Sequence, residues 1–240
     1  LLHWNRDDLK ALPKSIWLIA VACIDVAGLL PLLMPFYSWA AVLGLSLALW
    51  TLAVTGFAFK QRLQSWSFER LQQIPAGFYG MTVAHIGIAV FVVGITMTSV
   101  YSIERDVRMA PGDTLDMFGY IFSFHGVKST EGPNYRAEQG YLTVTHNGET
   151  VAELSPQKRV YRVQTMPMTE AAIDAGLFRD LFVAIGEPLG EEGAWSLRVY
   201  YKAFIRWIWR GGVCRAAGGV LGAVDRRYRL VNCEAVVGHA

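Results

Sequence analysis

Residues 78–97 read Phe78-Tyr-Gly-Met-Thr-Val-Ala-His-Ile-Gly-Ile-Ala-Val-Phe-Val-Val-Gly-Ile-Thr-Met97, a run without formal charge that contains one histidine, His85. A helix needs about 20 apolar residues to cross ~30 Å of hydrocarbon, so this run predicts a membrane-crossing helix. An ionisable side chain at that depth is costly and is a functional-site hypothesis by default. Histidine is also the side chain best suited to hold haem iron from such a position.

The rest of the chain divides around this run. Only 18% of the 240 residues are charged, against about 25% in soluble domains. Residues 103–202 carry 14 acidic and 10 basic side chains, while the remainder carries 6 acidic and 12 basic. An acidic block between basic flanks predicts an exported domain with positive ends kept in the cytoplasm. The basic residues are dispersed beside apolar spans, so they do not form a nucleic-acid footprint. Cys23, Cys214 and Cys233 form no Cys-x-x-Cys pair, which argues against a disulfide framework, a zinc site or covalent haem attachment on this chain. The chain starts at Leu1 without a signal-peptide pattern and reads as a fragment or an incomplete gene product.

Apolar periodicity predicts spans at about 15–34, 36–59 and 77–100, with a final segment at 204–229 and a tail at 230–240. Pro31 and Pro35 mark the turn between the first two. The loop at 60–76 is basic, and Leu63–Ile74 within it has the spacing of a short interfacial helix. Positive-inside counting places the amino terminus, this loop and the cluster Asp225-Arg-Arg-Tyr-Arg229 in the cytoplasm, and block 101–203 outside. The expected fold class is therefore a membrane α-helical protein of three to four transmembrane helices, with an exported, mainly β soluble domain between the last two spans. Within that domain 120–127, 140–146 and 195–201 alternate as strands, and Asn147-Gly148 signals a hairpin. Met168–Ala175 reads as helix-like, ended by Gly176.

Thr82 and Ala89, at i−3 and i+4 from His85, are small and leave room for a flat macrocycle. Gly80, Gly87 and Gly94 recur every seven residues on a different face and invite a close helix neighbour. On residue chemistry alone, His85 either ligates a cofactor or hydrogen-bonds another helix. Asp25, near the middle of the first span, is read as structural or water-facing, with proton handling as the alternative. Arg105 and Arg108, in the charged run Tyr101–Arg108, either form a solvated face with local salt bridges or contact carboxylates such as propionates. His125 and His146 read as surface residues, and Met166 and Met168 as packing residues.

Several segments together resemble one family. They are Ala84-His-Ile-Gly87, Tyr101-Ser-Ile-Glu-Arg-Asp-Val-Arg-Met109, Glu131-Gly-Pro-Asn-Tyr-Arg-Ala137 and Gln164-Thr-Met-Pro-Met-Thr-Glu-Ala-Ala-Ile173. Gly176-Leu-Phe-Arg-Asp180, Gly186-Glu-Pro188, Val199-Tyr-Tyr-Lys202, Arg206-Trp-Ile-Trp209 and Asp225–Arg229 continue the series. In this order they resemble the carboxy-terminal part of the CcmF/NrfE family of cytochrome c-type biogenesis haem lyase subunits. The resemblance implies a multi-pass protein of the bacterial inner membrane with a periplasmic domain. It implies haem as substrate, received from the holo-CcmE chaperone and joined to apocytochrome c, with CcmH and CcmI as partners. It implies a resident b-type haem with His85 as one axial ligand of the iron, the second histidine lying upstream of this chain. Arg105 and Arg108 are then weaker candidates for propionate or partner contacts, and no residue is assigned as catalytic. The chain is not expected to be active alone. Arg210 and Arg215 depart from the family pattern and count against insertion of the last segment. The alternatives are a non-catalytic docking module of the same assembly and a transporter segment with Asp25 and His85 as relay groups.

Overall fold

The computed structural model describes residues 14–63, 71–72, 74–163, 166–190 and 193–225. The chain folds into two compact units, one from Tyr101 to Ile205 and one from the flanking segments.

The flanking unit is helical. Helix α1 (Lys14–Leu29) runs into a 3-10 turn (Leu30–Leu33) that carries Pro31 at its second position and ends in extended backbone at Met34. Proline fits the first turn of a helix because its missing N–H has no partner there to lose. Helices α2 (Trp39–Leu63) and α3 (Ala76–Tyr101) follow, and α4 (Ile205–Val224) completes the unit. Among the described residues α2 and α3 are the two helices long and apolar enough to cross a membrane, while the apolar stretch of α1 and its turn, Trp17–Leu33, is shorter. Ser46, Thr51 and Thr55 donate to carbonyls one turn back at 2.7–2.8 Å. Their hydroxyls are thus satisfied inside an apolar helix without a partner from outside. The interfacial helix expected at Leu63–Ile74 lies mostly outside the described residues, as do Arg226–Arg229 and the tail from Leu230.

The other unit is an antiparallel β-sandwich, with ten strands among the described residues. They are β1 (Ile103–Met109), β2 (Thr114–Met117), β3 (Tyr120–Glu131), β4 (Tyr135–His146) and β5 (Glu149–Leu154), then β6 (Gln157–Tyr161), β7 (Pro167–Glu170), β8 (Ala172–Ala175), β9 (Arg179–Leu189) and β10 (Ala194–Ala203). One sheet has the order β1-β10-β9-β8, the other β2-β3-β4-β6-β7, with β5 also paired to β4. Alternate residues of each sheet point inward. Phe122, Phe124, Leu142 and Val144 meet Leu181, Val183, Ile185, Leu197 and Val199 in one buried core. Each large apolar side chain so buried contributes about 1.5–3 kcal/mol. Asn147-Gly148 forms the expected hairpin turn, with φ 52° and 82°. Phe118-Gly119, at φ 55° and 79°, makes a second left-handed turn, and the Phe118 ring stands edge-on to Tyr201 at 5.2 Å.

One local expectation is corrected. Met168–Ala175 is not helical; it forms the end of β7, a break at Ala171, and β8. Met, Glu and Ala favour helix locally, but β6 and β9 each offer a ladder of backbone partners, and pairing outweighs propensity. The charged run at 103–109 is a strand, β1, along the edge of its sheet. Charged side chains on an edge strand are an ordinary protection against pairing with another chain.

Candidate functional site

His85 lies in the first half of α3, and its side chain is exposed within this chain. Its Nδ1 stands 2.8 Å from the carbonyl oxygen of Met81, one turn earlier. A carbonyl oxygen only accepts, so Nδ1 carries the proton and donates it. In a neutral ring the lone pair then lies on Nε2, the atom a metal would take, and the back-bond fixes the ring's orientation.

The faces of α3 explain why the imidazole is open. Gly80, Gly87 and Gly94 pack against α4. A Cβ on Gly87 would stand 2.7 Å from the Arg215 nitrogen and 2.9 Å from the Gly211 oxygen. Reciprocally, a Cβ on Gly218 would stand 2.5 Å from the Ala84 nitrogen. Here two helix backbones touch, which only residues without side chains permit. Toward α2, Phe78 stacks on Phe59 at 6.0 Å, and Thr96 lies against Gly44. The surface between these contacts runs along Met81, His85, Ile88 and Ile95, all exposed. This differs from the expected platform of Thr82 and Ala89. Ala89 is buried, and the Thr82 hydroxyl donates to the Phe78 carbonyl at 2.9 Å. The flat surface beside the imidazole is therefore aliphatic and includes Met81 and Ile88.

The residues present would fit a haem held by one imidazole: Nδ1 is tied back to the Met81 carbonyl, the ring is exposed, and its surround is apolar. Among the described residues no group of three or more His, Cys, Asp or Glu side chains forms a metal site. Among the described residues no hydrogen bond joins Asp25 to His85. Asp25 projects from the side of α1 opposite Cys23 and Ala27, the residues covered where α1 packs on α2.

The other named residues lie apart from one another. Arg105 and Arg108 are exposed on β1 at positions of opposite parity. Arg105 shares a face with Ile103 and Val107, and Arg108 shares one with Glu104 and Asp106. They do not form a paired clamp. Arg198 of β10, which the sequence did not single out, holds Asp106 through two hydrogen bonds of 2.6 and 3.1 Å and approaches Glu104 at 3.5 Å. That pairing lowers the Asp106 carboxyl below its usual range, chiefly through the hydrogen bond from Arg198, and raises the guanidinium. Asp106, Arg198, Phe182 and Tyr200 line a concavity of about 550 Å³ on the sandwich. No local signal finds this cluster, because 92 residues separate Asp106 from Arg198. His125 bonds to Thr143 at 2.8 Å, and His146 stacks on Tyr120 at 4.3 Å. Met166 and Met168 are exposed rather than packed. Cys23 and Cys214 are free thiols. Arg215 lies over the Phe91 ring at 5.8 Å, and α4 continues as helix through both Arg210 and Arg215.

Residues 100–203 match the family model described as the CcmF C-terminal beta-sandwich. The chain is 42% identical over 231 residues to the cytochrome c-type biogenesis protein CcmF of Pseudomonas fluorescens, covering 96% of this chain and 35% of that protein. It is 40% identical over 232 residues to the Escherichia coli (strain K12) protein of the same name, covering 95% and 35%. To the cytochrome c-type biogenesis protein NrfE of Haemophilus influenzae it is 36% identical over 194 residues, covering 81% and 28%. A solved structure titled Cytochrome c Heme Lyase CcmF has the same fold, with a TM-score of 0.73 at 19% identity over 93% of this chain and 36% of the other. The chain thus spans about a third of the length of the curated relatives it matches.

Proposed function

The chain belongs with the CcmF/NrfE-type cytochrome c biogenesis proteins, whose carboxy-terminal part it matches, and on that premise we propose that it serves in the covalent attachment of haem to apocytochrome c. In this reading α1 to α4 cross the bacterial inner membrane, and the sandwich stands in the periplasm. His85 would hold a resident b-type haem through Nε2, together with a histidine outside this chain. Bound there, such a haem would supply one-electron redox chemistry. Haem arrives from holo-CcmE, and CcmH and CcmI assist delivery to the acceptor thiols. Arg105 and Arg108, one on each face of β1, are the candidates for propionate or partner contacts.

One observation carries the reading most: the Nδ1–H of His85 is held by the Met81 carbonyl, which leaves Nε2 open at mid-helix among aliphatic side chains. A histidine that merely links helices would direct its donor to a neighbour. Low dielectric and exclusion of water around such a ligand favour a stable iron–imidazole bond.

The test is complementation. A strain lacking its own CcmF is given the complete natural polypeptide that contains this segment, and covalent haem on a reporter cytochrome c is measured by staining after denaturation. Restored staining, reduced severely by His85→Ala, supports the reading. Staining that stays at the level of the empty strain with the unmodified protein present in the membrane contradicts it.

A further inference from the structure

Asp25 occupies the centre of an open helix face. Cys23, Ala27 and Pro31 of α1 and its turn are covered, and α1 packs on α2. Leu18, Ala22, Asp25 and Leu29, spaced four, three and four residues apart, run along the opposite side and are all exposed. Leu18 is 70% and Leu29 63% exposed. Asp25 is the ninth residue of the apolar stretch Trp17–Leu33. Eight residues of helix separate it from either end, about 12 Å at ~1.5 Å per residue. An aspartate side chain is too short to reach the headgroups over that distance, unlike lysine or arginine. Among the described residues it has no hydrogen-bond or ion-pair partner.

We propose that this face of α1 is an interface: it docks a further transmembrane helix that presents a basic or hydrogen-bond-donating side chain to Asp25. The inference rests on the reading of α1 as a membrane-crossing helix and not on the haem. Charge decides the occupant. Lipid tails offer no donor, so a lipid-facing Asp25 stays unsatisfied at mid-depth. A second copy of the same face sets one carboxylate against another. A helix with a lysine, arginine, histidine, amide or hydroxyl at matching depth satisfies the group. Ala22 beside Asp25 lets that helix approach closely. There is chain enough in the family to supply it, since the relatives carry roughly two-thirds of their length outside the matched segment.

The experiment uses the complete natural polypeptide in its native membrane. A photocrosslinking p-benzoylphenylalanine replaces Leu18 or Leu29, and adducts are mapped by mass spectrometry. The expected product joins α1 to an apolar helical peptide that carries a donor side chain at the depth of Asp25. Asp25→Leu lowers that yield between about threefold and twentyfold, the range set by interhelical polar contacts in membranes, while Asp25→Asn largely retains it. Adducts to lipid alone, or to α1 of a second copy, overturn the proposal. Rapid labelling of Leu18→Cys and Leu29→Cys by a membrane-impermeant, water-soluble thiol reagent overturns it differently, because it removes α1 from the bilayer and with it the topology on which the proposal rests.

Discussion

The backbone N–H of Gly77 donates to the Oδ2 of Asp225 at 2.8 Å, across 148 residues of sequence. Asp225 follows the last turn of α4, and Gly77 lies in the first turn of α3, where backbone N–H groups have no partner within the helix. The carboxylate therefore caps α3 from another helix and favours its positive end. Asp225→Ala is expected to lower the stability of the helical unit by about 1 kcal/mol, with Asp225→Asn losing less. Hydrogen exchange of the 77–80 amides in detergent checks it, with faster exchange in the alanine variant.

The contact between α3 and α4 makes a sharper demand. A Cβ on Gly211 meets backbone atoms of Phe91 at 2.5 and 2.7 Å, whereas one on Gly212 meets nothing within 4 Å. Gly211→Ala is thus expected to cost about 1–3 kcal/mol by overpacking, and Gly212→Ala to be neutral or slightly stabilising through helix propensity. Thermal unfolding in detergent, followed by size-exclusion recovery, separates the two. Equal behaviour of the pair would contradict the close packing.

Acid should weaken the tie between β1 and β10. Asp106 has its carboxyl pKa lowered, first by the hydrogen bond from Arg198. A group whose folded pKa is depressed adds stability above its unfolded pKa and loses it as pH falls through the folded value. The contribution is therefore complete at neutral pH and fades below about pH 4, the ordinary aspartate range. Asp106→Asn should flatten the acid limb of the sandwich's unfolding curve, and salt should shrink the difference between the two proteins because the pair is exposed. Identical acid limbs would sink the assignment.

Legibility in the sequence followed range. The strands β3, β4 and β10 show in the alternation of Tyr120–Val127, Gly140–His146 and Trp195–Tyr201, since period two is a local property. Strand β1 was hidden because Glu104, Arg105 and Asp106 interrupt its apolar alternation, which an edge strand tolerates. At Met168–Ala175 local propensity pointed to helix, while the partners that decided for strand lay in β6 and β9. His85 was legible as an ionisable group in an apolar run, and the glycine stripe as a packing face. The identity of α4 as the stripe's partner was not, because Gly211 and Gly218 match Gly87 and Gly80 only once the two helices are aligned. Arg198 was missed because its role comes from cross-strand register with Asp106.

The central claim is that Nε2 of His85 holds haem iron. The complete polypeptide is purified from haem-replete cells, and its dithionite-reduced minus oxidised spectrum is recorded for the unmodified protein and for His85→Ala. The account predicts a b-type haem signal in the first and its loss in the second, with partial return when imidazole is added to His85→Gly. An unchanged haem spectrum in correctly folded, membrane-inserted His85→Ala would contradict it.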